Sequence, residues 1–546
     1  MSNKDRSVAR SSMLMASGTI ISRVLGFART ILLAAAIGVT TDAADAFGVA
    51  NQLPNNVYAI IVTGLLNAVL IPQLVKARSN KDGGKGYVDR LLTLILSVFL
   101  VVTLAATIAS PWLVSLYTSG WNENQLALAT AFAYWCLPQL FFYGLYSLLG
   151  EVLNSRSVFG PYMWAPVLNN IVSMVGLVAF VVLFGLDPTG KLAIDEWSAS
   201  QIAVLSGTAT LGVASQAIIL LWAWKKADIK FSLNFKFRGF GLRPALKAAS
   251  WSLGMVVVTQ IGGVVQTIVA SQAISARAEN AAVASVAVAA VAWLIFMVPH
   301  SVVTVSVATA YFTKMAQHAH ENKMDLFKKD FSAGLRAISV FAVFFSVAMI
   351  VLAYPMSRVF IGEFDATISL GNVLIAFMIG LLPFSFVYMM QRAFYALENT
   401  RTPFIFTVIQ ISIYIAGAIV ISNTVEARWL VVALSLLTSS TVTLQAIVAF
   451  TMLTKRIGSL NDHKIASALS QFVLAGVIAG AMGYGAIEII GGIKPGSFAV
   501  ASVLSSSLTI AGVGFLMFAI YTIALRLLRV PEIDTALAGF KGILRR

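Results

Sequence analysis

The sequence has one cysteine, four histidines and only 23 acidic residues in 546 positions. A single cysteine, Cys136, excludes an intrachain disulfide, and its place in an apolar run marks it as a small buried hydrophobe. The histidines, His300, His318, His320 and His463, have no cysteines or clustered acids around them, so no metal-ligand spacing is present. No G-x-x-x-x-G-K-[ST] occurs: "GGKGYVD" and "PTGKLA" fail the spacing, which excludes ATP hydrolysis by a P-loop. With no nucleophile–base pair and too few acids for a carboxylate dyad, the chain reads as a protein that is not an enzyme and carries no cofactor or metal. Alternating strands are also missing, since runs such as "LLTLILSVFLVVTLAATIAS" (91–110) do not alternate, and a β-barrel is excluded.

What is present is apolar. Hydrophobic residues make up 58% of the chain and charged ones 11%, with a mean hydropathy of +0.86. Such a composition specifies an all-α polytopic membrane protein. Hydrocarbon about 30 Å thick takes roughly 20 apolar residues per helix. Fourteen such runs lie near 11–38, 45–75, 91–117, 126–153, 158–186, 200–224, 244–273, 281–312, 332–353, 366–397, 402–422, 428–453, 466–490 and 497–525. The basic start followed by an apolar run resembles a signal peptide, but its length, its polar face and the lack of a cleavage site predict a retained first helix. Pro54, Pro72, Pro138, Pro161, Pro166, Pro299 and Pro383 are expected to bend or start helices, as suits helices arranged around a cavity.

The net charge of +15 is not a nucleic-acid signal, because its distribution follows the membrane. With a cytoplasmic amino terminus, 31 of the 38 Lys and Arg fall on the cytoplasmic side and five, Lys191, Arg277, Arg358, Arg428 and Lys494, on the other. The positive-inside rule therefore places both termini in the cytoplasm. The longest basic stretch, "KKADIKFSLNFKFRGFGLRP", sets Phe231, Phe235, Phe237 and Phe240 among cations and reads as a loop held to anionic headgroups, or as a hinge between halves. Internal repetition supports halves: residues 137–171 and 382–413 each carry Leu-Pro, then aromatics, an Asn with a basic residue two positions on, and a Pro opening the next helix. The offset keeps orientation, so the repeats are parallel. The expected organisation is a lobe over 1–224 (six helices), a cytoplasmic linker over 225–243, a second six-helix lobe over 244–453, and two further helices with a cytoplasmic tail over 454–546.

The remaining two cations, Arg23 and Arg29, lie at membrane depth in "SRVLGFARTILLAAAIG" (22–38). Arg23 is about twelve residues, ~18 Å, from the cytoplasmic end of the first helix, and Arg29 is about 9 Å further on. A charge at the bilayer centre costs ~2.5–3.5 kcal/mol on insertion scales and persists where it meets water, a partner or a ligand. Ser22, Gly26 and Arg29 share one stripe and Arg23 and Thr30 the next. Two readings stay open. Either acids neutralise the arginines, with Asp45 the natural partner of Arg29, and Glu151 and Glu488 the other acids within spans; or a cavity there receives an anion, which a guanidinium fork holds bidentately. Asn55, Asn56, Asn67, Asn169, Asn170, Gln260 and Gln266 sit in apolar context, where interhelical hydrogen bonding is the usual reason.

"SRVLGFAR" (22–29), "ADAFGVANQLPN" (44–55), "GLLNAVLIP" (64–72), "VLNSRSVFGPYMWAPVLNNI" (152–171) and "RAFYALENTRTP" (392–403) resemble the MurJ/MviN family of lipid II flippases, in the multidrug/oligosaccharidyl-lipid/polysaccharide exporter superfamily. The resemblance implies two lobes around a central cavity open alternately to either side, a groove of the last two helices for a polyprenyl tail, and a bacterial plasma (inner) membrane location. The implied substrate is lipid II, the undecaprenyl-pyrophosphate-linked peptidoglycan precursor, moved without ATP from inner to outer leaflet. Membrane lipids are implied partners, with peptidoglycan synthases as further candidates and no nucleic acid. Substrate-binding residues carried over are Ser22, Arg23, Arg29, Asp45 and Gln260, and the polar-residue reading adds Asn55. Three departures stand out: Thr30 follows Arg29 where many members have Asp, "NVYAIIVTG" replaces a basic pair and Glu-Gly, and Trp293-Leu294 stands in place of an Asp-Arg pair. Rival readings are an exporter of another lipid-linked oligosaccharide or a drug, and a non-transporting scaffold of the cell-wall machinery.

Overall fold

Prolines and glycines decide where the apolar runs break. The structure, a computed structural model, describes residues 3–63, 85–156, 158–227, 229, 231–236, 243–278, 282–460, 462–530 and 532. Asn67, Pro72, Phe237, Phe240 and the stretch 64–72 lie outside the described residues. Among the described residues every regular element is helical. Twelve helices are long and apolar enough to cross a membrane, thirteen if one bent pair counts as a single span. The second expected span, 45–75, is described only in its first part.

The chain divides into two compact units, Met1–Gln260 and Ile261–Arg546. The first contains α1 (Asn3–Ile37), α2 (Asp42–Ile61), α3 (Lys85–Ile108), α4 (Ser110–Tyr117), α5 (Glu123–Cys136), α6 (Gln139–Ser155), α7 (Gly160–Phe184), α8 (Ala199–Lys226) and the start of α9 (Arg243–Ser271). The expected run 91–117 is two helices. The break comes at Ala109, because Pro111 in the first turn of α4 cannot donate back into α3. Pro138 likewise separates α5 from α6. α7 packs along both α1 and α8, α2 lies against α5 and α6, and α3 against α6. Leu91, Ile95 and Phe99 of α3 meet Leu140, Leu148 and Leu153 of α6 in a core that Trp224 of α8 completes. The packing of α7 on α8 is close: a Cβ on Gly212 would lie 2.3 Å from the Ser173 hydroxyl.

The second unit contains the rest of α9, then α10 (Val286–Pro299), a π-helical turn His300–Thr304, α11 (Val305–His320), α12 (Met324–Val351), α13 (Ala353–Phe360), α14 (Phe364–Met378), α15 (Leu381–Ala396), α16 (Arg401–Thr424), α17 (Leu430–Ile457), α18 (Asp462–Ile489) and α19 (Val503–Leu527). α14 and α15 form the bent pair, 43° apart. At the bend Gly380 N–H donates to Phe377 O (2.9 Å), and the Ser439 hydroxyl of α17 donates to Ala376 O (2.7 Å). A carbonyl released by the break thus finds a partner without water, as apolar surroundings require. A Cβ on Gly380 would lie 2.6 Å from that same hydroxyl, so the glycine admits the bond. α18 and α19 pack on each other and on α12 and α13, around Phe472, Met517 and Tyr521.

α1 ends at Gly38, whose φ of +78° favours glycine, and a Cβ there would lie 2.6 Å from Pro188 O. Thr41 then caps α2, accepting from Ala44 N–H at 3.1 Å. Gly38→Ala is expected to combine about 1 kcal/mol of left-handed strain with this clash. Gly120→Ala has the same φ, +78°, but open space. Thermal unfolding in nanodiscs should show a distinctly larger loss for Gly38→Ala; equal losses would rule out the close approach as the reason for Gly38.

Candidate functional site

α1 brings Ser22, Arg23 and Arg29 onto its polar side, and α7 holds that side in place. The Asn170 amide of α7 donates to the Ser22 carbonyl at 2.7 Å and to its hydroxyl at 3.2 Å. One turn on, Gly26 leaves the Asn170 side chain in ordinary contact, 3.9 Å from where a Cβ would stand. Thr30 hydroxyl donates to Gly26 O at 3.0 Å, keeping itself within α1. Ser22 is half-buried, Arg23 exposed and Arg29 half-buried.

Arg29 lies in the field of the Tyr143 hydroxyl on α6. Among the described residues none of its N–H groups makes a hydrogen bond and no carboxylate comes within ion-pair distance. Of the two open readings, the one that pairs Arg29 with Asp45 is not the arrangement found: Asp45 is wholly buried in the first turn of α2 and has interactions of its own. Tyr143 is itself fixed. Its hydroxyl donates to Gln139 Oε1 (3.2 Å), and Gln139 Nε2 donates to Asn51 Oδ1 (3.2 Å) and Thr210 Oγ1 (3.1 Å). With its proton engaged, the Tyr143 oxygen offers only lone pairs to its surroundings.

Gln139, Tyr143, Ser147 and Glu151 recur at four-residue spacing and form one stripe of α6. Tyr58 of α2 joins it, contacting the Ser147 hydroxyl and setting its ring 5.5 Å from that of Tyr143. Sequence reasoning missed this stripe because it read the aromatics after Leu137-Pro138 as a repeat marker; the signal was the i, i+4, i+8, i+12 recurrence. Of the other expected site residues, Gln260 donates to Asn56 O at 2.7 Å, and Asn56 in turn donates to Tyr117 at 3.2 Å. Asn55 is exposed and makes no hydrogen bond among the described residues. Asn169 donates to Gln216 at 3.3 Å, a link between α7 and α8. In the second unit Trp293 stacks on Phe296 at 5.0 Å and meets Phe384 edge-on at 5.9 Å, so the position where an Asp-Arg pair was looked for is aromatic and apolar.

A profile of the family described as "Lipid II flippase MurJ" matches residues 33–509, starting just beyond Arg29. A Rhizobium tropici protein named "Probable lipid II flippase MurJ" is 26% identical over 437 residues, covering 78% of each chain. The Haemophilus influenzae protein of the same name is 24% identical over 411 residues, 70% of this chain and 75% of that one. Among solved structures, a lipid II flippase MurJ in an inward closed conformation aligns with a TM-score of 0.72 at 18% identity, over 94% of this chain and 99% of that one. An inward-facing MATE transporter aligns with a TM-score of 0.63 at 18% identity, over 82% and 99%. These structural likenesses establish the fold.

Replacing Asn170 by Ala removes both bonds to Ser22 and is expected to cost about 1 kcal/mol. Hydrogen exchange in nanodiscs should rise for the α1 amides around Ser22–Gly26, while Asn55→Ala leaves the pattern unchanged. An unaltered α1 in Asn170→Ala would remove the latch from this description.

Proposed function

The chain belongs to the lipid II flippase MurJ family, and from that premise we propose that it moves lipid II from the inner to the outer leaflet of the bacterial plasma membrane, with Arg29 holding the pyrophosphate. It is a multi-pass integral membrane protein of a transporter family. The observation that carries the role of Arg29 is its uncompensated charge: a half-buried guanidinium in an apolar helix, joined to no carboxylate among the described residues.

Pyrophosphate supplies what that site lacks. Its oxygens match the planar fork of a guanidinium, and charge-assisted hydrogen bonds of this kind contribute about 1.5–3 kcal/mol each. Arg23, exposed on the neighbouring stripe of α1, is the second cation along the path, and Asp45 serves to close or reset the site after release. Ser22, held by Asn170, sets the register of α1 against α7; Gln260, bonded to α2, and the exposed Asn55 line the route of the headgroup. We place both termini in the cytoplasm, the lobe boundary in the linker 225–243, and peptidoglycan synthases among the partners. Alternating access needs no nucleotide. The potential, positive outside, favours outward movement of an anion by ~2.3 kcal/mol per charge per 100 mV, so transport should slow when the potential is collapsed.

The test is the rate at which lipid II reaches the outer leaflet in proteoliposomes. Arg29→Ala should lower it about 10–100-fold, matching the loss of one charge-assisted bond. Arg29→Lys should fall between, because a point charge lacks the bidentate fork. Wild-type rates in a properly folded Arg29→Ala protein would defeat the role.

A further inference from the structure

The second unit has a concave site away from everything described above. It is a cavity of about 350 Å³ lined by Phe364, Asp365, Ser369 and Asn372 of α14 and by Arg428 and Trp429 just before α17, with Val283 and Ala284 beneath. Three helices, α10, α14 and α17, begin around it, and the charge map puts all three starts on the outer side of the membrane. Its frame is fixed by polar bonds. Ser369 hydroxyl donates to Ala282 O, holding the segment before α10 against α14. Tyr354 hydroxyl donates to Asn372 Oδ1 at 2.9 Å, which sets the amide's orientation.

The functional groups that remain are of a particular kind. Asp365 is exposed, and its carboxylate makes no hydrogen bond among the described residues. Asn372 keeps both Nδ2 protons uncommitted among those residues, and Arg428, whose guanidinium sits over the Trp429 ring, makes one hydrogen bond there, from Nε to Glu426 at 2.7 Å. Trp429 is 46% exposed; the Arg428 guanidinium lies over its ring, 5.9 Å from the centroid, and the indole surface left uncovered is flat and apolar beside these groups. An acyl chain would strand the carboxylate and the amide without partners, at a cost of about 1–3 kcal/mol each. A ligand with hydroxyls or amides at its edge and C–H groups on its face satisfies all four residues at once. That ligand is a saccharide, and the volume lies at the small end of ordinary ligand sites, roughly 300–1,000 Å³.

We propose that this cavity is a saccharide-binding site on the outer face: Trp429 stacks on one sugar ring, Asp365 accepts from its hydroxyls, and Asn372 and Arg428 donate to its oxygens. The saccharide is either the disaccharide of a lipid II molecule just delivered, a source that rests on the proposed function, or a soluble glycan. Occupation by delivered lipid II would draw the headgroup out of the transport path and oppose its return.

Tryptophan fluorescence of the full chain in nanodiscs tests this, with N,N′-diacetylchitobiose as the soluble probe and lipid II as the lipid-linked one. Asp365→Asn and Trp429→Ala, both at exposed positions, are the variants, and unchanged thermal unfolding verifies their folding. Saturable binding of chitobiose, weakened about tenfold or more by Asp365→Asn, supports the site with soluble glycan sufficing. Binding seen only with lipid II, and weakened by the same variant, supports it with the lipid-linked source. No saturable response to either probe, or a response equal in both variants and wild type, overturns it, as does displacement by a short peptide but not by sugar. Lipid II transport measured on the same samples separates the two claims: transport without saccharide binding sinks only the cavity, and binding without transport sinks only the flippase reading.

Discussion

A guanidinium within hydrocarbon must have something to face. Arg29 has no carboxylate within ion-pair distance among the described residues, and it stands near a hydrogen-bonded set of polar side chains on α6. A carboxylate would neutralise the cation and close the site to anions; without one the charge stays available. The arrangement reaches back through Gln139 to Asn51 and Thr210, three helices converging on one side-chain amide that is 1% exposed. Under the proposed function, the cost of keeping a cation at depth is met when an anionic headgroup arrives.

The same demand for partners shapes the backbone. Where proline or glycine interrupts a helix inside the membrane, each released group must be met locally. Ser439 takes the carbonyl of Ala376 at the α14–α15 bend, and the π-helical turn after Pro299 places Thr304 against Ser385, hydroxyl to hydroxyl at 2.9 Å. Small residues make these approaches possible, as Gly380 and Gly212 do, and hydroxyl and amide side chains then bond across helices in place of charged pairs. The described ion pairs, His318–Asp330, Lys323–Glu321, Arg336–Glu532 and Arg428–Glu426, each include a residue at or near a helix end. Among the described residues, polar hydrogen bonds and not charged pairs join most helices.

Much of this was legible in the sequence. Apolar runs and their prolines placed the helices, because hydrocarbon imposes a length and forbids unsatisfied backbone, and the two arginines stood out as the only deep cations. The break at Ala109 was not legible, since Pro111 lies in a run whose hydropathy never falters. Nor was the partner of Arg29. Asp45 looked right by proximity in sequence, yet it is buried in the first turn of α2 with interactions of its own. Tyr143 is far along the chain and is recruited by tertiary packing, although its place in the Gln139–Ser147–Glu151 stripe marked α6 as having a polar face. The cavity of the second unit was only half legible for the same reason: Asp365, Ser369 and Asn372 share one stripe of α14, but Arg428 and Trp429 come from a separate segment that only the fold brings beside them.

The most direct test of the central claim is a distance. Solid-state NMR on nanodiscs, with nitrogen-labelled arginine and the phosphorus of lipid II, reports whether pyrophosphate sits on Arg29, with an Arg29→Lys sample assigning the signal. The account predicts dipolar coupling at hydrogen-bond range between that guanidinium and a phosphorus of bound lipid II, vanishing when the lipid is removed. A guanidinium coupled instead to a protein carboxylate carbon, with and without lipid II, would contradict it.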